Sequence, residues 1–458
     1  MSGEAPPPYF RIDPDTALGD LGNPTTSTGF STIAQACRAG REDLAGRGLG
    51  ADGRRHLRLF STWEITRYLI PVAPAHFRRV LRANPGLPQG QSETDGGAKW
   101  FTLDEVLRLR VHFGNEGSKA KEYLPYRPKG LPAKMVAVAN FKGGVGKTST
   151  AAHLAMSAAL DGYRVLVIDL DSQASMTSIF GGRVEDEWQT VFPLLARHYA
   201  TYLRRENHRR QDRGDPPIPI DDTLGEALKI RADTLIQTTH WPNIDLLGAQ
   251  LNLYWAEFQV PVWRMQGRGW KLWDALGDTL AEDGILDRYD VIFIDTPPAL
   301  GYLTINGLAA ADILLVPVGA SFLEFDSTGR FFDMLHTTFK SIEDGENLAA
   351  RALGQPEIAF QWDAVRAIVT RYDGAQQAEL AGLMQSYLGR TLSPHRQDFT
   401  ALIGQAGEQV RGIYEADYRN FNRETYVRGR ETFDATYAVL KSLLLGSWRR
   451  DALDSEQD

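Results

Sequence analysis

The amino-acid sequence predicts an α/β fold, a doubly wound and mostly parallel sheet, preceded by a small helical module. From residue 135 onward, short apolar runs alternate with helical patterns, which is typical of parallel sheets covered by helices. Two of these runs end in aspartates, and the carboxyl ends of parallel strands meet at one edge of a sheet. Another run, Met135–Ala139, leads into a glycine-rich stretch and then a helical pattern. Together these observations predict a ligand-binding edge built around that stretch.

The glycine-rich stretch, Asn140–Thr150, has the features of a phosphate-binding P-loop. Its glycines allow successive backbone N–H groups to converge on an anion, and the following helix adds the positive end of its dipole. Lys147 would reach the β- and γ-phosphates, and the Thr148 hydroxyl would ligate Mg²⁺. The sequence thus predicts a P-loop NTPase that binds ATP and Mg²⁺. The predicted nucleotide-binding residues are Gly143, Gly144, Val145, Gly146, Lys147, Thr148 and Ser149.

Carboxylates close two of the other apolar runs. Asp169 and Asp171 end the run that starts at Arg164, and Asp295 ends the run that starts at Tyr289. We expect Asp169 and Asp295 near Mg²⁺ and its waters, and Asp171 placed to orient the attacking water. Behind a P-loop, these acids predict ATP hydrolysis. A short strand is predicted at Ile244–Leu247, and further buried strands at Asp312–Val318 and Val365–Thr370.

Residues 57–113 have the pattern of a winged helix-turn-helix. Two capping-box pairs, Ser61/Glu64 and Thr102/Glu105, open the first and third helices, and Pro74–Asn84 forms the second. Lys99–Phe101 would form a hairpin wing. Residues 53–113 hold ten Lys/Arg and five Asp/Glu, although the whole chain has a net charge of −8. The second helix would enter the DNA major groove, or the module is a three-helix cap with solvated arginines. The predicted DNA contacts are Arg78, Arg79, Arg82 and Lys99.

The other segments complete the predicted organisation. Residues 1–56 would form a mostly flexible arm with a short helix near Ile33–Asp43, 114–134 a linker, 135–446 the ATPase domain and 447–458 an acidic tail. Residues 188–241 would form a helix and then a solvated loop. The arginine-rich centre of this segment is either an exposed charged face, which we favour, or a DNA contact, and the tryptophans that follow would fill a core. The single cysteine fits a reducing cytoplasm. We recognise no signal sequence and no apolar run of ~18 residues, so we expect no membrane-spanning segment.

Three motifs, 141–148, 167–175 and 294–301, resemble those of ParA ATPases. The stretches 123–127, 242–247, 370–374, 404–407, 413–415 and 423–428 are similar to RepA-type partition ATPases of large bacterial plasmids and secondary chromosomes. Larger members of that family carry an N-terminal winged helix. Lys142 stands in a loop that resembles the deviant P-loop of the ParA/MinD group, which implies that it reaches a partner's nucleotide in a dimer. The predicted catalytic residues are Lys142, Lys147 and Asp171. Ser172 departs from the family pattern, which usually has proline there.

The resemblance implies a working cycle. ATP would drive formation of a homodimer that binds DNA non-specifically, so the protein would be cytoplasmic and nucleoid-associated. A ParB-like centromere-binding protein would stimulate hydrolysis and release the dimer, and the winged helix would read an operator and repress the protein's own operon. The C-terminal candidates for DNA contact are Arg419, Arg423, Arg428, Arg430 and Lys441.

Two other classes remain open at this point. A MinD-like membrane-cycling ATPase would need an anchor such as Val439–Leu445, although the acidic residues that follow would be repelled by anionic lipid. A winged-helix transcriptional regulator could use the nucleotide only as a switch. A nitrogenase-reductase-like role is disfavoured because the ATPase domain has no cysteine for an iron–sulfur cluster, and a dinucleotide oxidoreductase because the glycine spacing does not fit.

Overall fold

The computed structural model describes residues 27–46, 56–92, 94, 97–115, 123–267, 269–400, 402–404 and 411–455. The chain divides into two compact units, residues 1–52 and 53–458. The described part of the first unit is the helix α1 (Ser27–Gly46). It is longer than the short helix predicted within a flexible arm, and no proline interrupts it. The rest of the predicted arm, 1–26 and 47–55, lies outside the described residues.

The second unit is organised around a seven-stranded sheet. Within the described residues the strand order is β5–β6–β4–β7–β3–β8–β9, and β5 alone runs antiparallel to its neighbour. The predicted mostly parallel sheet is therefore confirmed. A separate two-stranded sheet pairs β1 with β2. The strands are β1 (Phe60–Ser61), β2 (Trp100–Phe101), β3 (Lys134–Val138), β4 (Val165–Asp169), β5 (Gln237–Thr238), β6 (Ile244–Leu247), β7 (Val291–Asp295), β8 (Ile313–Gly319) and β9 (Ala364–Thr370).

Helices cover both faces of the sheet. They are α2 (Thr62–Glu64), which continues as a π-helical turn (Ile65–Leu69), α3 (Pro74–Ala83), α4 (Leu103–Asn115), α5 (Lys147–Leu160), α6 (Ser175–Ile179), α7 (Phe192–Arg213), α8 (Asp222–Ala227), α9 (Ala232–Leu235), α10 (Ala256–Gln266), α11 (Ala275–Glu282), α12 (Ile285–Arg288), α13 (Tyr302–Ala310), α14 (Phe322–Leu353), α15 (Ala378–Leu388) and α16 (Arg423–Ser455).

Alternation along the central strands divides the core into two layers. Val165 and Val167 of β4 pack with α5, α16 and the N-terminal module, whereas Leu166 and Ile168 pack with α7, α10, α11 and α13. Successive side chains of a strand point to opposite faces, and both faces here are covered. This explains why the central strands are apolar throughout rather than alternating with polar residues.

The predicted elements of the N-terminal module are present in the expected order. Ser61 and Glu64 form the capping box of α2, and the side chains and backbone N–H groups of Thr102 and Glu105 make reciprocal hydrogen bonds at the start of α4. Trp100 forms an isolated antiparallel bridge with Gln91 and also pairs with Ser61 of β1. On its inner face, Phe77 stacks on Phe113 with ring centroids 5.7 Å apart.

The module is not a separate domain joined by a free linker. Its apolar residues share one core cluster with the sheet and α16, and residues 53–458 form one compact unit. The described part of the predicted linker is anchored: Tyr123 is buried, and Arg127 donates hydrogen bonds to the backbone of Leu131 and Tyr289. Residues 116–122 of the linker lie outside the described part. A buried tyrosine and the hydrogen bonds of Arg127 thus hold the described part of the linker against the rest of the unit.

The central segment partly follows its prediction. Helix α7 carries the predicted arginine-rich stretch at its carboxyl end and ends at Gly214, whose φ of 76° suits glycine. Trp263, Trp270 and Trp273 are buried as expected. Trp255 contradicts the prediction, because 64% of it is exposed.

The predicted acidic tail is largely the end of a helix. Helix α16 continues from Arg423 to Ser455, beyond the boundary predicted at residue 446. Trp448 is fully buried and donates its indole N–H to the Pro132 carbonyl, and Asp451 lies 2.7 Å from the buried Lys134 ammonium. These contacts hold the last turns on the sheet, and residues 456–458 lie outside the described part. In the described residues, no helix combines the length and apolarity that crossing a bilayer requires.

Candidate nucleotide-binding site

The P-loop connects β3 to α5 at the carboxyl edge of the sheet. Gly144 and Gly146 have φ values of 76° and 84°, a conformation that glycine adopts without strain. Helix α5 begins at Lys147, and no side chain caps its first turn. The backbone N–H groups of that turn are therefore left for an external acceptor, as the sequence predicted for an anion nest.

Lys147 lies inside the loop. It is 7% exposed, and its ammonium donates a 3.2 Å hydrogen bond to the Lys142 carbonyl. Burial lowers the pKa of Lys147, while the carboxylates of Asp295 and Asp171 oppose that change. The Lys147 ammonium has thus already lost most of its contact with water, and phosphate oxygens would supply hydrogen-bond acceptors in place of that water.

Asp169 and Asp295 lie side by side at the ends of adjacent strands, as partners in the β4–β7 register. Asp169 accepts hydrogen bonds from the backbone N–H and hydroxyl of Thr177 and from the Asp171 N–H. Burial raises the pKa of Asp169 to about 7 against these bonds, and the nearby Asp171 charge adds to the rise. Burial raises the pKa of Asp295 well above its usual range. Repulsion from the charges of Asp169 and Asp171 raises it further.

Asp295 is one of several buried polar groups in the described residues whose side-chain atoms lack a hydrogen-bond partner. Both of its carboxylate oxygens are buried, and neither has a hydrogen-bond partner of normal geometry among the described residues. The Thr148 hydroxyl is close enough to oppose the rise in the Asp295 pKa. A buried carboxylate without partners is costly unless a cation or donor compensates it. With the half-buried Thr148 beside it, this donor set fits Mg²⁺ and its waters.

The remaining predicted residues line the mouth of the loop. Gly143 and Gly144 are exposed, Val145 is buried, and Ser149 is half-buried on the first turn of α5. Asp171 is 8% exposed and accepts a hydrogen bond from the Gln173 N–H. The Lys142 side chain is 34% exposed, and its ammonium lies 3.7 Å from a Glu324 carboxylate oxygen. The structure therefore brings Lys142, Lys147, Thr148 and the three aspartates to one edge.

Comparisons with known proteins agree with this architecture. A family profile described as "AAA domain" matches residues 133–347. A Sinorhizobium fredii protein that bears the provisional name replication protein A is 32% identical over 406 residues, which are 87% of this chain and 89% of the relative. Protein SopA of Escherichia coli is 30% identical over 322 residues, which are 69% of this chain and 74% of SopA. The chain belongs to the ParA/SopA family of ATPases.

A solved structure of a partition protein has the same fold. It matches this ParA-type chain with a TM-score of 0.56 at 16% identity, over 91% of this chain and 98% of the other. The match extends well beyond the P-loop segment. The fold of most of this chain thus has a counterpart of known structure.

Several residues around the ParA-type P-loop were not among the predicted site residues. Asn140 donates its amide to the Pro317 carbonyl and accepts from the Lys142 N–H, and the Thr296 hydroxyl donates to the Val138 carbonyl. Thr370 and Arg371 hydrogen-bond to P-loop carbonyls. Their sequence signal was available in part, because 370–374 is one of the stretches that resemble RepA-type proteins, but nothing in the sequence shows that it contacts the loop.

An exposed apolar stripe begins at the same edge. Its first residues follow β6 within a few positions, and the nearby Ala249 N–H donates to the Thr177 hydroxyl that supports Asp169. Glu257, on the helix that carries the stripe, accepts hydrogen bonds from the backbone N–H groups of Tyr302 and Leu303. Between 44% and 78% of each stripe residue is exposed. The apolar stripe comprises Leu251, Tyr254, Trp255, Phe258, Val262 and Met265.

The predicted DNA-contacting residues of the module are on its surface. Arg78, Arg79 and Arg82 are exposed on α3, opposite the buried Phe77, and Lys99 is exposed beside β2. Arg79 contacts His76 on the same helix through a 2.9 Å hydrogen bond. The positive side chains of α3 therefore form one accessible face.

The C-terminal candidates divide into accessible and buried arginines. Arg430 is 2% exposed, pairs with Asp434 and lies over the Tyr68 ring, so its predicted role as a DNA contact is wrong. Arg430 faces the N-terminal module because α16 packs against that module. Other candidates have partners but lie nearer the surface: Arg419 pairs with Asp417, Arg423 covers Trp63, Arg428 pairs with Asp398 and Lys441 pairs with Asp161. The stretch 404–407 lies outside the described residues after Gly404.

Proposed function

We propose that this chain is a partition ATPase for a plasmid or secondary chromosome. ATP binding would produce a homodimer that binds DNA without sequence preference, and hydrolysis would release it. A ParB-like centromere-binding protein would stimulate hydrolysis, and the dimer would associate with the nucleoid in the cytoplasm. The similarity to a relative named for replication and to protein SopA supports this class of function.

The observation that carries the proposal is the different placement of two lysines in one loop. Lys147 is buried beside Asp295 and Asp171, where it serves the chain's own nucleotide. Lys142 is at the mouth, with a third of its side chain exposed and one ion pair of 3.7 Å. A lysine there can extend away from its own loop, which suits a contact to the nucleotide of a second copy.

The chain's residues divide the chemical work. The P-loop N–H groups and Lys147 would bind the β- and γ-phosphates, and Thr148, Asp169 and Asp295 would hold Mg²⁺ directly or through water. The metal would neutralise charge on the phosphates. Asp171 would orient the attacking water, while Lys147 and the partner's lysine stabilise charge that develops on the transferred phosphoryl group. The extended P-loop edge with its unpaired Asp295 supports this assignment.

The apolar stripe supports association through the same edge. Isolated exposed apolar side chains are common, but six on one stretch of 3₁₀ turn and helix form a continuous surface. Phe322 and Leu323, 73% and 70% exposed, are two further exposed apolar residues after β8, directly before Glu324. If two copies face each other through their nucleotides, this surface would be covered in the dimer.

DNA contacts are proposed for two surfaces. Arg78, Arg79, Arg82 and Lys99 would serve a winged-helix module that reads an operator and represses the protein's own operon. Arg428, with 65% of its side chain exposed, and the accessible basic residues near it would contribute phosphate contacts in non-specific binding. Their exposure and positive charge support both roles, and no membrane partner is proposed.

Binding to random-sequence duplex DNA tests the cycle. The purified protein is titrated with ATP, ADP or no nucleotide over a salt series, with ATP hydrolysis measured in parallel. We expect salt-sensitive binding that requires ATP. Lys142→Ala should lose this binding, and Asp171→Ala should retain it without turnover.

Arg330→Ala serves as a matched control, because it removes an exposed cation from the surface of α14. Binding that ignores nucleotide would contradict the cycle and favour a winged-helix regulator. Flotation with anionic liposomes in the presence of ATP would instead support the membrane-cycling class.

A further inference from the structure

An arginine with strained backbone lies against the P-loop. Arg371 follows β9 and has a φ of 53°, which among the described non-glycine residues is shared only with Ala174. Residues with a side chain adopt this conformation sparingly, and it persists where surrounding contacts impose it. One guanidinium nitrogen of Arg371 donates a 2.8 Å hydrogen bond to the Gly144 carbonyl. The strain thus coincides with a contact to the phosphate-binding loop.

The neighbouring residue holds the next carbonyl. The buried Thr370 hydroxyl donates a 2.8 Å hydrogen bond to the Val145 carbonyl. Tyr372 donates its N–H to the Gln397 carbonyl, and the Gln397 side chain accepts from the Thr150 hydroxyl on α5. The end of β9 is therefore fixed both to two successive P-loop carbonyls and to the helix that follows the loop.

These contacts determine where the loop's N–H groups point. The C=O and N–H of a trans peptide lie in one plane and point in opposite directions. When the Gly144 carbonyl is held by Arg371, the N–H of Val145 is turned to the opposite side. Thr370 does the same for the N–H of Gly146. A cation on the carbonyl also polarises the peptide and makes its N–H a stronger donor.

We propose that Arg371 is a positioning residue for nucleotide phosphate, acting through the Gly144–Val145 peptide. It holds the nest in its binding conformation before the nucleotide arrives, and Thr370 supports it. This inference rests on the proposed binding of ATP by the P-loop. It also gives a reason for the left-handed backbone at Arg371: this conformation directs the guanidinium toward the P-loop, where it contacts Gly144.

Replacement of Arg371 by glycine separates function from structure. Glycine adopts positive φ without strain, so Arg371→Gly should unfold at the same temperature as the wild type or higher when no nucleotide is present. Its affinity for ATP and ADP with Mg²⁺, measured by calorimetry, should fall about tenfold, because a charge-assisted hydrogen bond that organises the nest is lost. Arg371→Lys should recover part of this loss. Thr370→Val should also weaken binding, whereas Thr370→Ser should remain near the wild type.

Arg390→Ala is the control, because it removes an exposed arginine from a 3₁₀ turn later in the chain. Unchanged nucleotide affinity in Arg371→Gly would overturn the inference. A fall in unfolding temperature without nucleotide, with affinity reduced equally in Arg371→Gly and Arg371→Lys, would also overturn it and make Arg371 a structural residue. A wild type that binds neither nucleotide would instead overturn the proposed function on which the inference rests.

Discussion

Two regions of the molecule bury carboxyl groups in opposite ways. One is the junction between the N-terminal module and α16, where the carboxylate has partners, and the other is the nucleotide edge of the sheet, where it has none among the described residues. At the junction, Glu64 is fully buried but bonds to Arg58, Tyr426 and the Ser61 N–H. Burial would raise the pKa of Glu64, yet the Arg58 charge and these hydrogen bonds lower it. At the edge, Asp295 is equally buried without such partners. Satisfied charge indicates a structural role, whereas unsatisfied charge indicates where a ligand is expected.

Removing the paired carboxylate at the junction between the module and α16 should give the largest change in stability. Glu64→Ala leaves the guanidinium of Arg58, whose side chain is 11% exposed, without its carboxylate. Removal of one partner from such a buried pair should lower the free energy of unfolding by about 3–5 kcal/mol. Chemical denaturation followed by circular dichroism measures it. Glu64→Gln keeps some of the hydrogen bonds and should lose less, and equal losses would mean that the charge contributes nothing.

The pH dependence of stability should reveal a buried histidine between the two regions. His153 on α5 stacks on Phe433, accepts from the Ile413 N–H and contacts the Ser149 carbonyl, so it is neutral with its proton on Nδ1. Burial lowers its pKa to about 4. As the pH falls, His153 in the unfolded state binds a proton before His153 in the folded state does. Its contribution to the free energy of unfolding is therefore complete above pH ~6.5, and about 3 kcal/mol of it is lost as the pH falls toward 4.

Denaturation between pH 7.5 and 4 checks this contribution. His153→Asn cannot titrate in this range, so its stability should fall less steeply with acid than that of the wild type. Acidic groups also titrate near the lower end, and the difference between the two proteins removes their shared contribution. Parallel curves for the two proteins would show that His153 does not titrate as its burial predicts.

In the unsatisfied region, the same type of substitution should act on activity rather than folding. Asp295→Asn removes a buried carboxylate that has no hydrogen-bond partner among the described residues, so stability without nucleotide should stay constant or rise. Mg²⁺-dependent ATP hydrolysis should fall by about 100-fold, because a charge that holds the metal site is lost. Thermal unfolding and a phosphate-release assay measure the two effects. A less stable variant with normal hydrolysis would reverse this interpretation of the site.

The smallest effects should come from an exposed arginine in the same helix as a buried one. Arg428→Ala removes a surface pair with Asp398 and should change the free energy of unfolding by less than about 1 kcal/mol. If Arg428 contacts phosphate, the salt dependence of non-specific DNA binding should decrease by about one contact. Arg430→Met, two positions away and buried, should alter stability more than DNA affinity. A large loss of stability in Arg428→Ala would contradict this division.

Features that depend on local pattern could be predicted from the amino-acid sequence alone. The strand–loop–helix context located the P-loop, the apolar runs located β4, β6, β7, β8 and β9, and the capping pairs located the starts of α2 and α4. Each of these signals depends on neighbours within a few residues, so it can be seen without the fold. Asp169 and Asp295 were also predictable, because the parallel topology alone brings strand ends together.

Which surfaces meet could not be predicted from local sequence patterns. Arg430 and Trp448 look like ordinary positions on a charged C-terminal helix, yet α16 packs against the module and the sheet and buries both. Trp255 looks like a core tryptophan, but its side of the helix is left uncovered. Arg371 contacts Gly144 across 227 positions of sequence. Such outcomes depend on long-range packing, which brings together residues whose local patterns carry no information about one another.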